Sequence, residues 1–186
     1  ISYLNSLVLS INPFGFRTYF RGSDKGDVKI LTSKGWAKVY RTDISKGIEY
    51  IDQFKIIVGR FVPSNGEMSV KPGEGYRVLT EPQILSPAEI NTETYIDTAV
   101  FCTLEEATNY KKYLLTKFAR FFLRQGITSV NVTKECFAFV PIQDFTINGD
   151  INWSGTIPEI DQQLYIKYHL TDEEIAFIEK MIKPMQ

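Results

Sequence analysis

The hydrophobic period of the chain changes once, near residue 102, and this change restricts the fold more than any other feature. Upstream, short β-branched or aromatic runs alternate with Gly-, Ser-, Lys- and Asn-rich turns: "DVKIL" (27–31), "WAKVY" (36–40), "FKIIVGRF" (54–61), "YRVLT" (76–80) and "TETYIDTAVF" (92–101). Runs of this kind, bounded by turn residues, predict strands. Downstream, Ala107, Tyr110, Leu114, Phe118 and Phe121 recur at i, i+3, i+4 spacing, which predicts a helix with one apolar face. Thr103 stands three residues before Glu106 as a capping box, and Gly126 stands where a helix would end, so the expectation is one long helix over 104–125.

"CFAFVPIQDF" (136–145) reads as an apolar strand ended by Pro141. Two shorter helices are expected after it. "IPEIDQQLYIKY" (157–168) has Pro158 in its first turn, and "TDEEIAFIEKMI" (171–182) has a Thr171–Glu174 box and stops before Pro184. Strands followed by helices imply an α+β chain. The expected architecture is a twisted, mainly antiparallel β-rich domain over 1–150 that carries the helix 104–125. A C-terminal helical extension over 151–186 packs on it. The 186 residues suit one domain with a real core or a domain with a small appendage. The first residue is Ile1 rather than Met, and the chain is read as a piece of something longer. The segments "RGSDKGD" (21–27) and "VPSNGEMSVKPGEG" (62–75) are expected to be exposed, mobile loops.

The net charge of −1 conceals an uneven distribution. Residues 1–80 hold 12 Lys/Arg against 7 Asp/Glu, and residues 107–136 hold six bases against Glu135 alone. Residues 144–186 reverse the balance, with 8 acids and 3 bases. A near-neutral total therefore leaves room for a basic face, which phosphate contact requires. On the long helix Lys111, Lys112, Lys117, Arg120 and Arg124 crowd the surface left by the apolar stripe. That surface suits either solvent or a phosphate backbone. Cys102 and Cys136 are too few for a disulfide framework or a zinc site, and there is one His. They read as buried, reduced thiols of a cytoplasmic protein. No apolar run approaches the ~20 residues of a bilayer span, and no signal peptide opens the chain.

Catalytic patterns are missing. His169 follows Tyr168 at a helix end with no nucleophile placed by sequence, and neither a Gly-x-Gly-x-x-Gly nor a Walker-type loop is present. Asp27-Val28-Lys29 matches half of a metal-dependent nuclease signature, but Asp24 is the only acid in residues 1–26 to serve as the other half. Asn12-Pro13-Phe14-Gly15 is similar to the Asn-Pro-Pro-aromatic loop with which amino-methylating DNA methyltransferases hold a flipped base. It has one Pro where that loop has two, and it reads as a turn before "FGFRTYF".

Several segments taken in order carry a wider resemblance: "NPFGFRTYFRG", "GDVKILTSKGWAKVYR", "IDQFKIIVGRFVP", "RVLTEPQILSPAEINTETYI", "KYLLTKFARFFLRQGITSVNVTKECFAFVPIQDF" and "IDQQLYIKYHLTDEEIAFIEKMIKPM". From about Asn12 to Met185 the chain resembles the C-terminal target recognition region of bacterial adenine-specific (N6) DNA methyltransferases of type II or fused restriction-modification systems. "FVPIQDF" also looks similar to the strand-Pro segment closing recognition domains of type I specificity subunits. The resemblance implies a segment that reads double-stranded DNA on behalf of an N-terminal methyltransferase domain of the same parent chain. S-adenosylmethionine and the catalytic loop would then belong to that other half, with no cofactor and no catalytic residue here.

Which residues would read DNA follows from residue chemistry alone. Base edges call for Arg, Lys, Asn or Gln, and phosphates for Lys, Arg and hydroxyls. "FRTYFRGSDKGD" offers Arg17, Thr18, Tyr19, Arg21, Ser23 and Lys25 with aromatics interleaved. "RQGITSVNVTK" (124–134) offers Arg124, Gln125, Thr128, Ser129, Asn131 and Lys134. Lys34, Lys38 and Arg41 flank the expected hairpin around Trp36, Lys117 lies on the helix, and Lys71 and Arg77 are weaker candidates. In the competing reading Phe16, Tyr19 and Phe20 are core, the bases are solvated, and the chain is a protein-interaction or scaffold domain. The acidic C-terminal helices are expected to pack through Leu164, Tyr165, Tyr168, Ile175, Ile178 and Ile182 and to turn their acids away from DNA.

Overall fold

The computed structural model describes residues 2–62 and 74–185. Most of the 62–75 segment, Lys71 included, lies outside the described residues. The chain is α+β, with two three-stranded sheets among those residues. In the first sheet, β1 (Val28–Thr32) and β2 (Gly35–Val39) form an antiparallel hairpin in which Leu31 faces Trp36, and β5 (Glu89–Asn91) pairs with β1 in parallel. In the second, β3 (Phe54–Gly59) lies between β4 (Gln83–Leu85) and β6 (Tyr95–Phe101), antiparallel to both, with a register shift at Ile56/Ile57. Alternation sets the hairpin's faces: Val28, Ile30 and Val39 are buried while Lys29 and Lys38 stay outside.

A small core fills this hairpin lobe: Phe14, Val28, Ile30, Val39, Ile44, Ile51 and Ile90, with Phe16 and Phe20 against it. The Asn12-Pro13 segment is a turn, closed by Gly15 N–H donating to the Asn12 carbonyl at 3.2 Å, and it delivers Phe14 to this core. The larger core lies between β3/β6 and the helices, with Tyr110, Tyr113, Phe118 and Phe137 fully buried. Each such ring contributes roughly 1.5–3 kcal/mol of transfer free energy. The C-terminal helices α3 (Ile157–Lys167) and α4 (Asp172–Met181) share that core through Ile160, Leu164, Tyr165, Ile178 and Ile182. Tyr168 and Ile175 are half-buried against it.

Five expectations are corrected. The long helix is two, α1 (Leu104–Leu115) and α2 (Lys117–Gly126), broken at Thr116. Thr116 is extended (φ −64°, ψ 149°), and its hydroxyl donates to the Tyr113 carbonyl at 2.6 Å while accepting the Ala119 N–H at 3.1 Å. One side chain closes α1 and caps α2. The expected strand in 136–145 is a 3-10 helix, Lys134–Phe139, followed by irregular chain. Residues 76–80 form no strand: Tyr76 makes a single parallel bridge to Ile182, and Val78 has φ 76°, incompatible with a strand.

The fourth correction concerns the basic helical surface. Arg120 is fully buried. Its guanidinium donates to the carbonyls of Leu115, Thr116, Arg77 and Lys183 at 2.7–3.3 Å. Burial pulls its pKa down to about 10. Lys112 donates to the Trp153 carbonyl at 2.6 Å, Lys111 pairs with Glu81 at 3.8 Å, and Lys117 pairs with Glu179. These bases hold the helical layer together and do not form a free phosphate-tracking face. Cys102 is exposed, against expectation, while Cys136 is buried, and both are free thiols. No helix among the described residues is long and apolar enough to cross a membrane.

Candidate nucleic-acid interface

The 17–25 segment lies along the outer edge of the β1–β2 hairpin. Ser23 and Lys38 exchange main-chain hydrogen bonds at 3.0 and 2.8 Å, adding a short rung to β2. Near the hairpin turn Ser33 Oγ donates to the Thr18 carbonyl at 3.2 Å, and Arg21 donates to Ser33 Oγ at 3.3 Å and to the Thr18 carbonyl at 3.0 Å. Ser23 Oγ accepts the Lys25 N–H and donates to the Lys25 carbonyl, which folds the segment back on itself. Gly26 makes the return possible. It sits at φ 138° against the Val39 main chain, where a Cβ has no room.

This arrangement gathers Arg21, Lys25, Lys34 and Lys38 around one hairpin, all exposed and none of them ion-paired among the described residues. Aromatic rings stand among them: Tyr19 is 77% exposed and Trp36 51% exposed. Phe16 and Phe20 are tilted against each other, 4.5 Å between centroids, and anchor the segment to the small core. Tyr19, between them in sequence, points outward. The reading of all three rings as core is therefore corrected for Tyr19: Phe16 and Phe20 are inside and Tyr19 is offered to solvent.

Arg17 ion-pairs with Glu93 at 3.0 Å, and Glu93 also accepts the Thr18 N–H at 3.3 Å. Burial works to raise the Glu93 carboxyl, but Arg17, Thr18 and the charge of Arg60 together hold it below its ordinary value. Arg41 is engaged in a fork on Asp52, at 2.9 and 2.6 Å, and its N–H is held by Asp27 at 2.8 Å. Asp27 is thereby a structural acceptor and Lys29 pairs with Glu89 at 3.4 Å. Among the described residues no three His, Cys, Asp or Glu side chains gather as metal ligands would.

The second predicted segment divides. Arg124 lies over the Tyr76 ring at 4.4 Å, Gln125 donates to the Phe121 carbonyl at 3.2 Å, and Lys117 is tied to α4 through Glu179. These three stay on the helical layer. Thr128, Ser129, Asn131 and Lys134 are exposed. The Ser129 hydroxyl accepts the Asn131 N–H at 3.2 Å, and the strand-like stretch 130–132 is stitched to 60–62. Val62 N–H donates to Val130 O and Val132 N–H to Arg60 O, both at 2.7 Å.

A chain of main-chain hydrogen bonds connects the two segments. Glu93 N–H donates to Phe16 O at 2.9 Å, one residue on Arg60 N–H donates to Thr94 O at 3.1 Å, and Arg60 O accepts from Val132. The 93–94 turn before β6 is therefore the joint between the hairpin lobe and the 128–134 loop. Arg60, half-buried at this joint, reads in the sequence as one more strand residue, and Ser33 as one more turn residue. Arg77, a weaker candidate, pairs with Glu81 at 3.9 Å and leaves Nε buried without a partner.

The arrangement has no βαβ unit among the described residues, since β1 and β5 are separated by three other strands and no α-helix. What the exposed surface offers is donors, cations and flat rings. No family model, curated protein or solved structure matches the chain.

Proposed function

We propose that this chain is a sequence-reading DNA recognition domain that serves an adenine-N6 methyltransferase or a fused restriction-modification enzyme. The observation that carries the reading is the hairpin cluster. Arg21, Lys34 and Lys38, with exposed Tyr19 and Trp36, surround the β1–β2 hairpin of the first sheet, and strands of a sheet can enter a DNA groove. Lys34 and Lys38 meet phosphates, and Arg21, already oriented by Thr18 O and Ser33, is the base-edge donor. Thr128, Ser129, Asn131 and Lys134 add polar contacts from the far side of the 93–94 turn. Arg17 and Arg41 are committed to Glu93 and Asp52 and act as struts. The helical layer supplies the rigid support and, by the resemblance, the attachment to the catalytic half. The acidic first turn of α4, Asp172, Glu173 and Glu174, faces away from DNA in this reading.

Fluorescence-anisotropy titration of the chain against a random-sequence duplex over a salt series tests this reading. Binding that weakens linearly in log salt, followed by enrichment of one site from the random pool, is expected. Absence of binding at low salt, persisting when a methyltransferase half is supplied, would replace it with a protein-interaction role.

A further inference from the structure

A cleft of about 370 Å³ opens beside the joint, between the N-terminal segment and the 131–135 loop. Its lining mixes exposed Ile11 and the buried Ile96 and Val132 with polar Arg60, Asn131 and Lys134. Arg60 is fixed by main-chain bonds on both sides, to Thr94 and Val132, so its side chain enters the cleft from a rigid base. Neither Arg60 nor Lys134 has an ion-pair partner among the described residues. The one acid on the lining, Glu135, is held below its ordinary pKa chiefly by the Thr133 hydroxyl. Ile11, on the lining, is 69% exposed.

Two unpaired cations and an amide beside an exposed isoleucine match a sugar–phosphate unit. The charged oxygens meet Arg60, Lys134 and Asn131, and the deoxyribose carbons meet Ile11. We propose that this cleft seats one phosphodiester and its sugar from a DNA strand, with Arg60 and Lys134 as the two phosphate-binding side chains. The proposal rests on the DNA-recognition reading above and adds to it a specific strand-anchoring site outside the hairpin cluster.

The test is the duplex titration over a salt series with Arg60→Gln, Arg60→Lys and Lys134→Gln. Each Gln variant is expected to weaken binding and to reduce the slope of log affinity against log salt by about 0.9, the value of one lost phosphate contact on duplex DNA. Arg60→Lys keeps the charge and is expected to keep the slope. Lys134 is exposed, so its variant reports even if Arg60→Gln lowers the melting temperature. Wild-type binding with unchanged slopes in both Gln variants would overturn the cleft proposal and leave the recognition reading standing. A wild-type chain that binds no duplex, even with a methyltransferase half supplied, would overturn both. Titration with inorganic phosphate alone separates the sources: amide shifts at Asn131 and Thr133 that saturate at sub-millimolar phosphate would overturn the assignment to a DNA strand.

Discussion

Asp161 on α3 caps α2 from across the helical layer: its two carboxylate oxygens accept the N–H groups of Lys117 and Phe118, each at 2.9 Å. Thr116, the N-cap, already satisfies Ala119, so the two residues between them meet three N–H groups of the first turn that have no partner within the helix. Burial pushes the Asp161 carboxyl up to about 6, against the pull of the two N–H groups.

Replacing Asp161 by Ala strands both N–H groups, the one on Phe118 fully inside. Each unsatisfied buried donor costs about 1–3 kcal/mol. Asp161→Ala is expected to lower unfolding stability by about 2–4 kcal/mol in urea melts, with the slope of the transition unchanged. A loss under about 0.5 kcal/mol would show that water reaches these groups.

Asp97 gives the pH dependence. It is 1% exposed, accepts from Asn91 Nδ2 at 2.9 Å through one oxygen, and leaves Oδ1 without a partner. Burial raises its pKa from 3.8 to about 7, against the Asn91 bond and the charges of Lys55 and Arg60. A raised folded-state pKa means that the native state holds the proton longer than the unfolded chain. Its contribution is full below about pH 4 and is lost as pH rises towards 7. Asp97→Asn is expected to remove most of that decline and to be the more stable protein at pH 8, by up to a few kcal/mol. Thermal melts of both proteins from pH 4 to 8 check the sign; parallel profiles would refute it.

Gly26 makes a sharper local prediction. At φ 138° with its Cβ position inside the Val39 main chain, Gly26→Ala strains both the dihedral and the contact, a combination worth about 2 kcal/mol or more. The strain falls on the 23–26 return that pairs Ser23 with Lys38. Hydrogen exchange is expected to lose protection at the Ser23 and Lys38 N–H groups while those of α1 keep theirs. Equal loss at both places would mean that the hairpin lobe and the helical layer unfold as one unit.

The places where sequence expectation met the structure share a cause. The strands 28–32, 35–39, 54–59 and 95–101 and the helices α3 and α4 follow from local period, turns and caps, and these are in the residues themselves. Thr116 was hidden because an uninterrupted apolar stripe runs through it, and only its two hydrogen bonds reveal a break. Arg120 reads as surface because its carbonyl partners come from residues up to 63 positions away. Lys55 is also fully buried, but its Nζ is held mainly by local carbonyls, those of Tyr50, Ile51 and Gln53 at 2.7–3.0 Å, with the distant Ser86 carbonyl at 3.4 Å. Of the candidate site, the hairpin and its flanking loop were legible as polar residues between strands. The joint at Arg60 was not, because it exists only where β3, the 93–94 turn and the 130–132 stretch meet.

That distinction between tertiary-paired and free bases yields the last prediction. Lys34 and Lys38 are exposed at the hairpin, whereas Lys117 has a side chain only 15% exposed and is bound to Glu179. If the hairpin enters DNA, Lys34→Gln and Lys38→Gln are each expected to reduce the salt slope of duplex binding by about 0.9, the worth of one released counterion. Lys117→Gln should leave that slope unchanged while lowering thermal stability, because it breaks a partly buried ion pair and exposes the acid of α4. A slope that changes with Lys117 and not with the hairpin lysines would place DNA on the helical layer, and would reverse the orientation proposed for the domain.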